Sequence, residues 1–199
     1  MDWIAVALSQ DIPNGTVVPR RVCETDLAIW CSASGEYHAW GDRCPHRGMR
    51  LSHGFVRAET LACIYHGWQY DEAGACSYIP AHPKLTPPKT ICAQTYACRN
   101  ADGVIWVALE GGDMPLPETH GRAPVRSMEI NVAAEALIKQ LGGADGQMIV
   151  LDGAQDIAVS VQPSTAATSV MHVMAGADQD FKHVSRYMED LRSTLEAHP

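Results

Sequence analysis

Short apolar or alternating runs, separated by turn residues, fill the first half of the chain. Runs of this length are typical of β-strands, and dipeptides such as Asn14-Gly15 and Asp102-Gly103 are typical of tight turns between antiparallel strands. No stretch before residue 110 shows the period of an amphipathic helix. The pattern therefore predicts an all-β front part. Its predicted strands are residues 4–8, 26–31, 37–40, 60–64, 91–98 and 104–109.

The second half of the chain changes period. Two apolar stripes have helical spacing, and Gly142-Gly143 and Asp178 are suited to end the first helix and cap the second. Three runs between the stripes alternate like strands, so the tail is predicted to be a small α+β unit. The first stripe is Ile130, Ala134, Leu137, Ile138 and Leu141, and the second is Phe181, Val184, Met188, Leu191 and Leu195. The alternating runs are residues 148–151, 157–162 and 169–174.

Residues 110–124 separate the two patterns, are rich in Gly and Pro and lack apolar periodicity, which is typical of a linker. The charge also divides here, because residues 1–112 hold 11 acidic and 9 basic side chains, whereas residues 113–199 hold 12 and 6. We therefore predict a β domain over residues 1–112, a linker over 113–126 and a small α+β domain over 127–199.

The amino-acid composition excludes several classes of function. With 46% hydrophobic and 19% charged residues among 199, the chain has the balance of a folded globular protein. A net charge of -8 argues against a nucleic-acid partner, and the seven irregularly spaced cysteines do not resemble a secreted disulfide framework. The first fifteen residues have no basic segment, and their apolar run is too short for a signal peptide or a membrane span. A cytoplasmic protein without membrane attachment is expected.

Two Cys–His pairs form the main candidate for chemistry. Cys44 and His46 lie two positions apart, and Cys63 and His66 lie three apart, on separate turn-rich segments. Two thiolates and two imidazoles suit either a tetrahedral zinc ion or an iron–sulfur cluster in which cysteines hold one iron and histidines the other. The spacing alone leaves both alternatives open.

The residues around these pairs resemble the Rieske [2Fe-2S] domain of ring-hydroxylating and demethylating oxygenases. The matching positions are Cys44-Pro45-His46-Arg47-Gly48, Cys63-Ile64-Tyr65-His66-Gly67-Trp68, Tyr70, Gly74, Cys76 and Pro80, and the resemblance covers roughly residues 3–110. It implies an antiparallel β domain with a small cluster-binding subdomain of two loops, and one cluster per chain. By the same resemblance, Cys44 and Cys63 would bind the inner iron, and His46 and His66 the outer iron near the surface.

This donor set also has a redox consequence. Two ferric ions, two sulfides and two thiolates sum to zero charge, so reduction gives -1 instead of the -3 of a reduced four-cysteine cluster. Rieske potentials of about -150 to +300 mV therefore lie above the roughly -400 mV of plant-type ferredoxins. Met49, Tyr65 and Trp68 stand where the similar respiratory Rieske proteins carry two extra cysteines and a serine. A potential in the lower part of the range is expected.

The other conspicuous residues have simpler interpretations. Arg43, Arg47 and Arg50 could form a basic collar that steers an acidic partner, or only a solvated face. His53 lies outside both pairs and is expected to be a loop or surface residue. The remaining cysteines, which are expected to be buried thiols, are Cys23, Cys31, Cys76, Cys92 and Cys98. The tryptophans expected in the core are Trp30, Trp40, Trp68 and Trp106, of which Trp68 could also shield the cluster.

The chain lacks the signature of a second iron site. Catalytic subunits of the resembling family hold a mononuclear iron with two histidines and a carboxylate. Beyond the linker only His172, His183 and His198 occur, and none lies four or five residues from another. His172, on an alternating run, is interpreted as a buried polar residue. The tail of about 75 residues is also too short for that catalytic domain.

Two functional hypotheses follow. In the favoured one, the protein is an electron-transfer component that relays electrons from a flavin or iron–sulfur reductase to a terminal non-heme iron oxygenase. In the alternative, it is one subunit of a Rieske oxygenase, for aromatic hydroxylation or O- or N-demethylation, whose catalytic iron lies in another chain. Association into a homo- or hetero-oligomer is compatible with either hypothesis, and a structural or regulatory module is a third possibility.

Overall fold

The computed structural model describes residues 3–144, 148–151 and 156–197. They form two compact units, which are described separately. The central unit comprises residues 12–20 and 25–99, and the terminal unit comprises the remaining described residues. The division into domains at residues 113–126 stays a prediction.

Most of the chain is in β-strands. In chain order the elements are β1 (Ile4–Leu8), β2 (Val17–Val22), β3 (Thr25–Cys31), β4 (Tyr37–Gly41), β5 (Phe55–Arg57), β6 (Thr60–Ala62), β7 (Gln69–Tyr70), β8 (Cys76–Tyr78), β9 (Thr95–Ala101), β10 (Val104–Ala108), β11 (Ala123–Ile130), α1 (Ala134–Gln140), β12 (Ile149–Val150), β13 (Ile157–Pro163), β14 (Ser169–Ala175) and α2 (Phe181–Ala197). Every strand pair whose direction is described is antiparallel, which confirms the predicted α+β class with an antiparallel front part.

The central unit contains two sheets. One has the strand order β9–β4–β3–β2, and the other has the order β5–β6–β7–β8. The loop after β4 and the loop after β6 carry the two Cys–His pairs. Side chains from both sheets and both loops share one buried core, whose apolar burial stabilises the loops together with the strands. Its members are Ala28, Trp30, Trp40, Cys44, Leu51, Leu61, Cys63, Tyr70, Cys76, Ile79 and Ala93.

The terminal unit combines strands and two helices. β1 pairs with β10, and a second sheet has the order β11–β14–β13–β12. The alternating residues of this second sheet pack against α1 and α2 in one core. Within α2, Val184, Met188 and Leu195 are buried, as the apolar stripe predicts. Gly142, with φ of +72°, ends α1 in the left-handed conformation that glycine adopts most readily.

Several boundaries differ from the sequence prediction. β2 was not predicted, because Pro19 and two arginines interrupt its apolar alternation. β11 begins at Ala123, inside the predicted linker, since the adjacent polar residues Arg126 and Ser127 interrupt its alternation. Ile130 lies on β11 and not on the first helix. Its spacing from Ala134 matches a helical period only by coincidence, because the extended Ala133 separates β11 from α1.

The packing of α2 gives a stability prediction. Met188 is fully buried in the helix–sheet core, so Met188→Ala should lower the free energy of unfolding by about 2–5 kcal/mol through lost burial and a residual cavity. Urea unfolding followed by far-ultraviolet circular dichroism measures the change. The control Arg186→Ala alters an exposed position on the same helix and should shift stability by less than about 0.5 kcal/mol. Equal effects of the two substitutions would contradict this packing.

Candidate metal centre

The two loops that carry the Cys–His pairs have the same backbone geometry. In each loop, the glycine four residues after the cysteine donates its N–H to the cysteine carbonyl, and the cysteine N–H donates to the carbonyl five residues ahead. The bonds are Gly48 N to Cys44 O at 2.8 Å, Cys44 N to Met49 O at 2.8 Å, Gly67 N to Cys63 O at 2.9 Å and Cys63 N to Trp68 O at 2.9 Å. Gly48 and Gly67 have φ of +72° and +69°, a conformation that favours glycine. The two loops therefore have the same type of turn, although their ligand spacings, Cys-x-His and Cys-x-x-His, differ.

The cysteines lie on the buried side of these turns. Cys44 and Cys63 are 3% and 1% exposed and belong to the core of the central unit. Burial raises the pKa of the Cys63 thiol, and the neighbouring Cys44 side chain raises it further, although N–H groups of the loop act in the opposite direction. The two thiols thus lie near each other in a site shielded from water.

The histidines lie on the accessible side. The ring centroids of His46 and His66 are 4.7 Å apart, with His46 half-buried and His66 exposed. Trp68 stacks flat on His46 at 3.9 Å between centroids, and Tyr65 lies against His66 at 3.9 Å. Desolvation lowers the pKa of His46, and the nearby His66 and Arg47 lower it further. The neutral imidazole, which is the metal-binding form, is therefore favoured at this position.

The donor set fits a binuclear cluster. Within the described ranges, no three Cys, His, Asp or Glu side chains converge on one point as the ligands of a single ion do. The four side chains instead form a buried thiol pair and an accessible imidazole pair. A Rieske-type cluster requires this separation, because cysteines bind one of its irons and histidines the other.

Tyr70 adds a contact that the sequence did not reveal. It lies on β7, is fully buried, and places its hydroxyl oxygen 3.0 Å from the Cys44 sulfur. Burial and the neighbouring thiols raise the pKa of Tyr70 far above its ordinary value. The phenol therefore keeps its proton and can donate a hydrogen bond to the Cys44 thiolate. Its place in the matched motif was the only sequence signal for this role.

A buried carboxylate anchors the first loop. Asp42, two residues before Cys44, accepts hydrogen bonds from the Ser52 N–H and hydroxyl, each at 2.7 Å. Arg50 donates to Asp42 at 3.1 Å and to Asp26 at 2.8 Å. Two carboxylates therefore compensate the charge of Arg50, so this arginine contributes less to a basic collar than its exposure alone would indicate.

The other predicted residues divide into confirmed and corrected cases. His53 is exposed and lies outside both Cys–His pairs, and His172 is fully buried, as expected. His198 lies outside the described residues. Trp30, Trp40 and Trp106 are in the core, whereas Trp68 is half-buried on His46.

The prediction that five further cysteines are buried is correct for two of them. Cys31 and Cys76 are buried, and Cys98 is intermediate. Cys23 and Cys92 are exposed, so the prediction is wrong for them. Cys23 lies in the turn between β2 and β3 with φ of +47°, and a turn residue has no sheet or core to cover it. Cys92 forms an isolated bridge with Ala75 outside the named strands, and its thiol donates to the Ala73 carbonyl at 3.7 Å.

Residues 2–96 match the family model of the Rieske [2Fe-2S] domain. This part of the chain is a Rieske [2Fe-2S] domain. A domain of this family carries a Rieske-type [2Fe-2S] cluster, which decides between the two metal alternatives in favour of the cluster.

Relatives extend the similarity beyond the Rieske domain. The chain is 29% identical over 189 residues to the oxidoreductase NdmD of Pseudomonas putida, covering 94% of this chain and 30% of NdmD. It is 35% identical over 145 residues to the 4beta-methylsterol monooxygenase of Methylococcus capsulatus, covering 67% of this chain and 39% of that protein. The chain therefore spans less than two fifths of either relative.

A solved structure has the same fold as nearly the whole chain. NdmA of Pseudomonas putida CBB5 aligns with a TM-score of 0.77 at 18% identity, covering 98% of this chain and 79% of NdmA. This identity supports a statement about fold only. Among the described helices, none has the length and apolar character needed to cross a bilayer.

The Tyr70 contact predicts a shift of the reduction potential. Because a thiolate accepts a stronger hydrogen bond when the cluster is reduced, Tyr70→Phe should lower the potential. A hydrogen bond to a charged group contributes about 1.5–3 kcal/mol. About 1.4 kcal/mol corresponds to 59 mV for one electron, and only part of the bond energy differs between the two redox states. The reduction potential should therefore fall by roughly 30–60 mV. A redox titration followed by electron paramagnetic resonance measures it. The control Tyr78→Phe alters an exposed phenol on β8. An unchanged reduction potential in the Tyr70 variant, with an intact spectrum, would refute the role of the Tyr70–Cys44 contact in setting the potential.

The hydrogen bonds of Asp42 lead to a prediction about the stability of the central unit. Asp42→Ala leaves the Ser52 N–H without its acceptor and removes a buried partner of Arg50, so the central unit should lose about 3–5 kcal/mol of stability. Asp26→Ala, which removes only the more exposed partner of Arg50, should cost about 0–1 kcal/mol. The loss of visible cluster absorbance with increasing urea reports both. The anchor has no role in holding the loop if the two variants lose the cluster at the same urea concentration.

Proposed function

We propose that the chain is a Rieske-type one-electron transfer protein, a ferredoxin-like component or accessory subunit that relays electrons from a flavin or iron–sulfur reductase to a non-heme iron oxygenase. The observation that carries this proposal is the position of the imidazole pair at the accessible end of the two loops. Electron transfer between proteins needs a redox centre with one edge close to the surface and the rest shielded. The loops supply both conditions.

In this proposal Cys44 and Cys63 bind the inner iron, and His46 and His66 bind the outer iron. The support is the matching turn geometry of the two loops, the neighbouring thiols and the paired imidazoles. When bound, the cluster stores one electron. The chain's own residues shield the thiol side with the aromatic core, hold His46 against Trp68 and donate a hydrogen bond from Tyr70 to Cys44.

The relatives support a role as a component. NdmD, which matches nearly the full length of this chain, is named an oxidoreductase, and this chain spans 30% of it. Another relative is named a methylxanthine N1-demethylase, and 38% of this chain matches it at 44% identity. We infer that this chain supplies the electron-transfer part of a comparable system. A cytoplasmic location is part of the proposal, since the five cysteines outside the proposed ligand set form no disulfide and a reducing compartment keeps them as thiols.

One observation favours the oxygenase-subunit alternative. The structural similarity to NdmA covers 98% of this chain, so the terminal unit resembles part of that protein in fold as well. In this alternative the terminal unit contributes to an assembly whose catalytic iron lies in a second chain. The iron content of the isolated protein and its reaction with oxygen separate the two functions.

The composition of the purified protein is the first prediction of the proposal. Two irons and two acid-labile sulfides per chain are expected, because four ligands are available for one cluster. The reduced protein alone should not consume oxygen coupled to product formation. A third iron, or product formed from an aromatic or N-methyl substrate by the isolated chain, would contradict the relay function.

The ligand assignment has its own test. His46→Ala and His66→Ala should each abolish the electron paramagnetic resonance signal of the reduced Rieske cluster, because each removes one of the two imidazoles. His53→Ala, which changes an exposed histidine near the same loops, should leave the signal unchanged. Survival of the signal in either of the first two variants would refute the assignment.

A further inference from the structure

A row of aromatic side chains in the central unit begins at the Cys44 sulfur. The Tyr70 hydroxyl lies 3.0 Å from that sulfur. The Tyr70 ring then meets Trp40 edge-on at 6.5 Å between centroids, and Trp40 meets Trp30 edge-on at 5.0 Å. Trp30 stacks on His38 at 4.2 Å with an interplanar angle of 24°. Five side chains thus make continuous contact from a proposed iron ligand to a histidine on β4.

Strand geometry fixes this row. Trp30 on β3 lies directly opposite His38 on β4, and Trp40 follows His38 by two positions. Because side chains two apart on a strand share one face, Trp30, Trp40 and His38 all point to the same side of the sheet. Trp30, Trp40 and Tyr70 are fully buried, so water does not interrupt their contacts.

Trp30 adds an aromatic ring and an unsatisfied donor to this row. Its buried indole N–H has no hydrogen-bond partner among the described residues, and an unsatisfied buried donor costs about 1–3 kcal/mol. Phenylalanine would fill much of the same space without that cost. Phenylalanine would therefore keep an aromatic ring in the row and remove the unsatisfied donor.

The far end of the row opens into a polar cavity. His38 and Trp40 line a cavity of about 230 Å³ together with Glu72, Thr95 and Tyr96. The His38 Nε2 atom is buried, has no hydrogen-bond partner among the described residues, and lies 4.0 Å from a Glu72 carboxylate oxygen. The Glu72 side chain is 50% exposed, so this cavity lies at the surface of the central unit.

The two ends of the central unit differ in charge. Burial lowers the pKa of His38, although the carboxylates of Glu72, Glu36 and Glu59 act to raise it. The cavity end therefore carries acidic groups beside a neutral imidazole. The imidazole pair has exposed Arg43 and Arg47 in its first loop. A positively charged partner is therefore favoured at the cavity and a negatively charged partner at the imidazole pair.

We propose that Tyr70, Trp40 and Trp30 form a second electron route to the cluster. A one-electron donor with a basic docking surface binds at the His38 cavity and reduces the cluster through these rings, while the imidazole pair stays free for the acceptor. This inference rests on the proposed relay function. One electron leaves the donor and converts one ferric iron to ferrous iron, and no bond is made or broken. The aromatic rings serve only as a tunnelling medium and are neither oxidised nor reduced.

Flash photoreduction of the cluster-loaded protein tests the route. A ruthenium polypyridyl photoreductant is attached either at the cavity through Glu72→Cys or near the imidazoles through Arg47→Cys, with the exposed Cys23 and Cys92 changed to Ser. Trp40→Leu, which removes the ring between the cavity and Tyr70, should slow the fast phase of reduction from position 72 and leave reduction from position 47 unchanged. Trp40→Phe, which keeps an aromatic ring, should retain the fast phase. Reduction from position 72 that is equally fast in the Leu variant would overturn the route.

A second measurement does not depend on the tryptophan variants. Glu72→Gln combined with Glu36→Gln should slow reduction by the methyl viologen radical cation, which is attracted to the cavity, and leave reduction by anionic dithionite unchanged. Equal effects on both reductants would overturn the route. The reduction potential and the resonance spectrum are recorded for every variant and should match those of the parent. A parent protein without a Rieske signal would refute the proposed function itself, whereas a normal signal with unaffected kinetics refutes the route alone.

Discussion

Each of the two cysteines at the centre closes its own turn by accepting one backbone hydrogen bond and donating another. This constraint determines much of what surrounds it. The turn requires a residue with positive φ four positions after the cysteine, which is why Gly48 and Gly67 occupy equivalent places. It also directs the cysteine side chain into the core and leaves the histidine at the rim. The arrangement of ligands therefore follows from backbone geometry first and from side-chain packing second.

The central unit connects this constraint to its core. The sulfurs of Cys44 and Cys63 lie among the same buried residues that hold the strands together, so the loops cannot detach without exposing the core. Asp42 adds a polar anchor at the base of the first loop. Rigid support of this kind keeps the geometry of a redox site nearly constant when its charge changes, which reduces the energy of reorganisation during electron transfer.

The motifs of the two loops were easier to recognise in the sequence than the element boundaries. They are local, so the family resemblance grouped Cys44, His46, Cys63 and His66 into one candidate site, and the ligand assignment itself stays a prediction. The strands around them depend on pairing partners far along the chain, and β2, with Pro19 and its arginines, has no local signal strong enough to be recognised. Tyr70 and the Asp42 anchor were missed for the same reason, because their partners lie 26 and 10 residues away. Only folding brings these contacts together.

The position of Trp68 has an optical consequence. Four of the five tryptophans are buried, with exposed fractions of 3% or less, whereas Trp68 is half-buried and stacks flat on His46. Its indole therefore emits in a more polar environment than the others and lies beside a side chain proposed to bind iron. An iron–sulfur chromophore held by His46 would quench this emission by energy transfer. The stacked indole would then report assembly and loss of the cluster without an added dye.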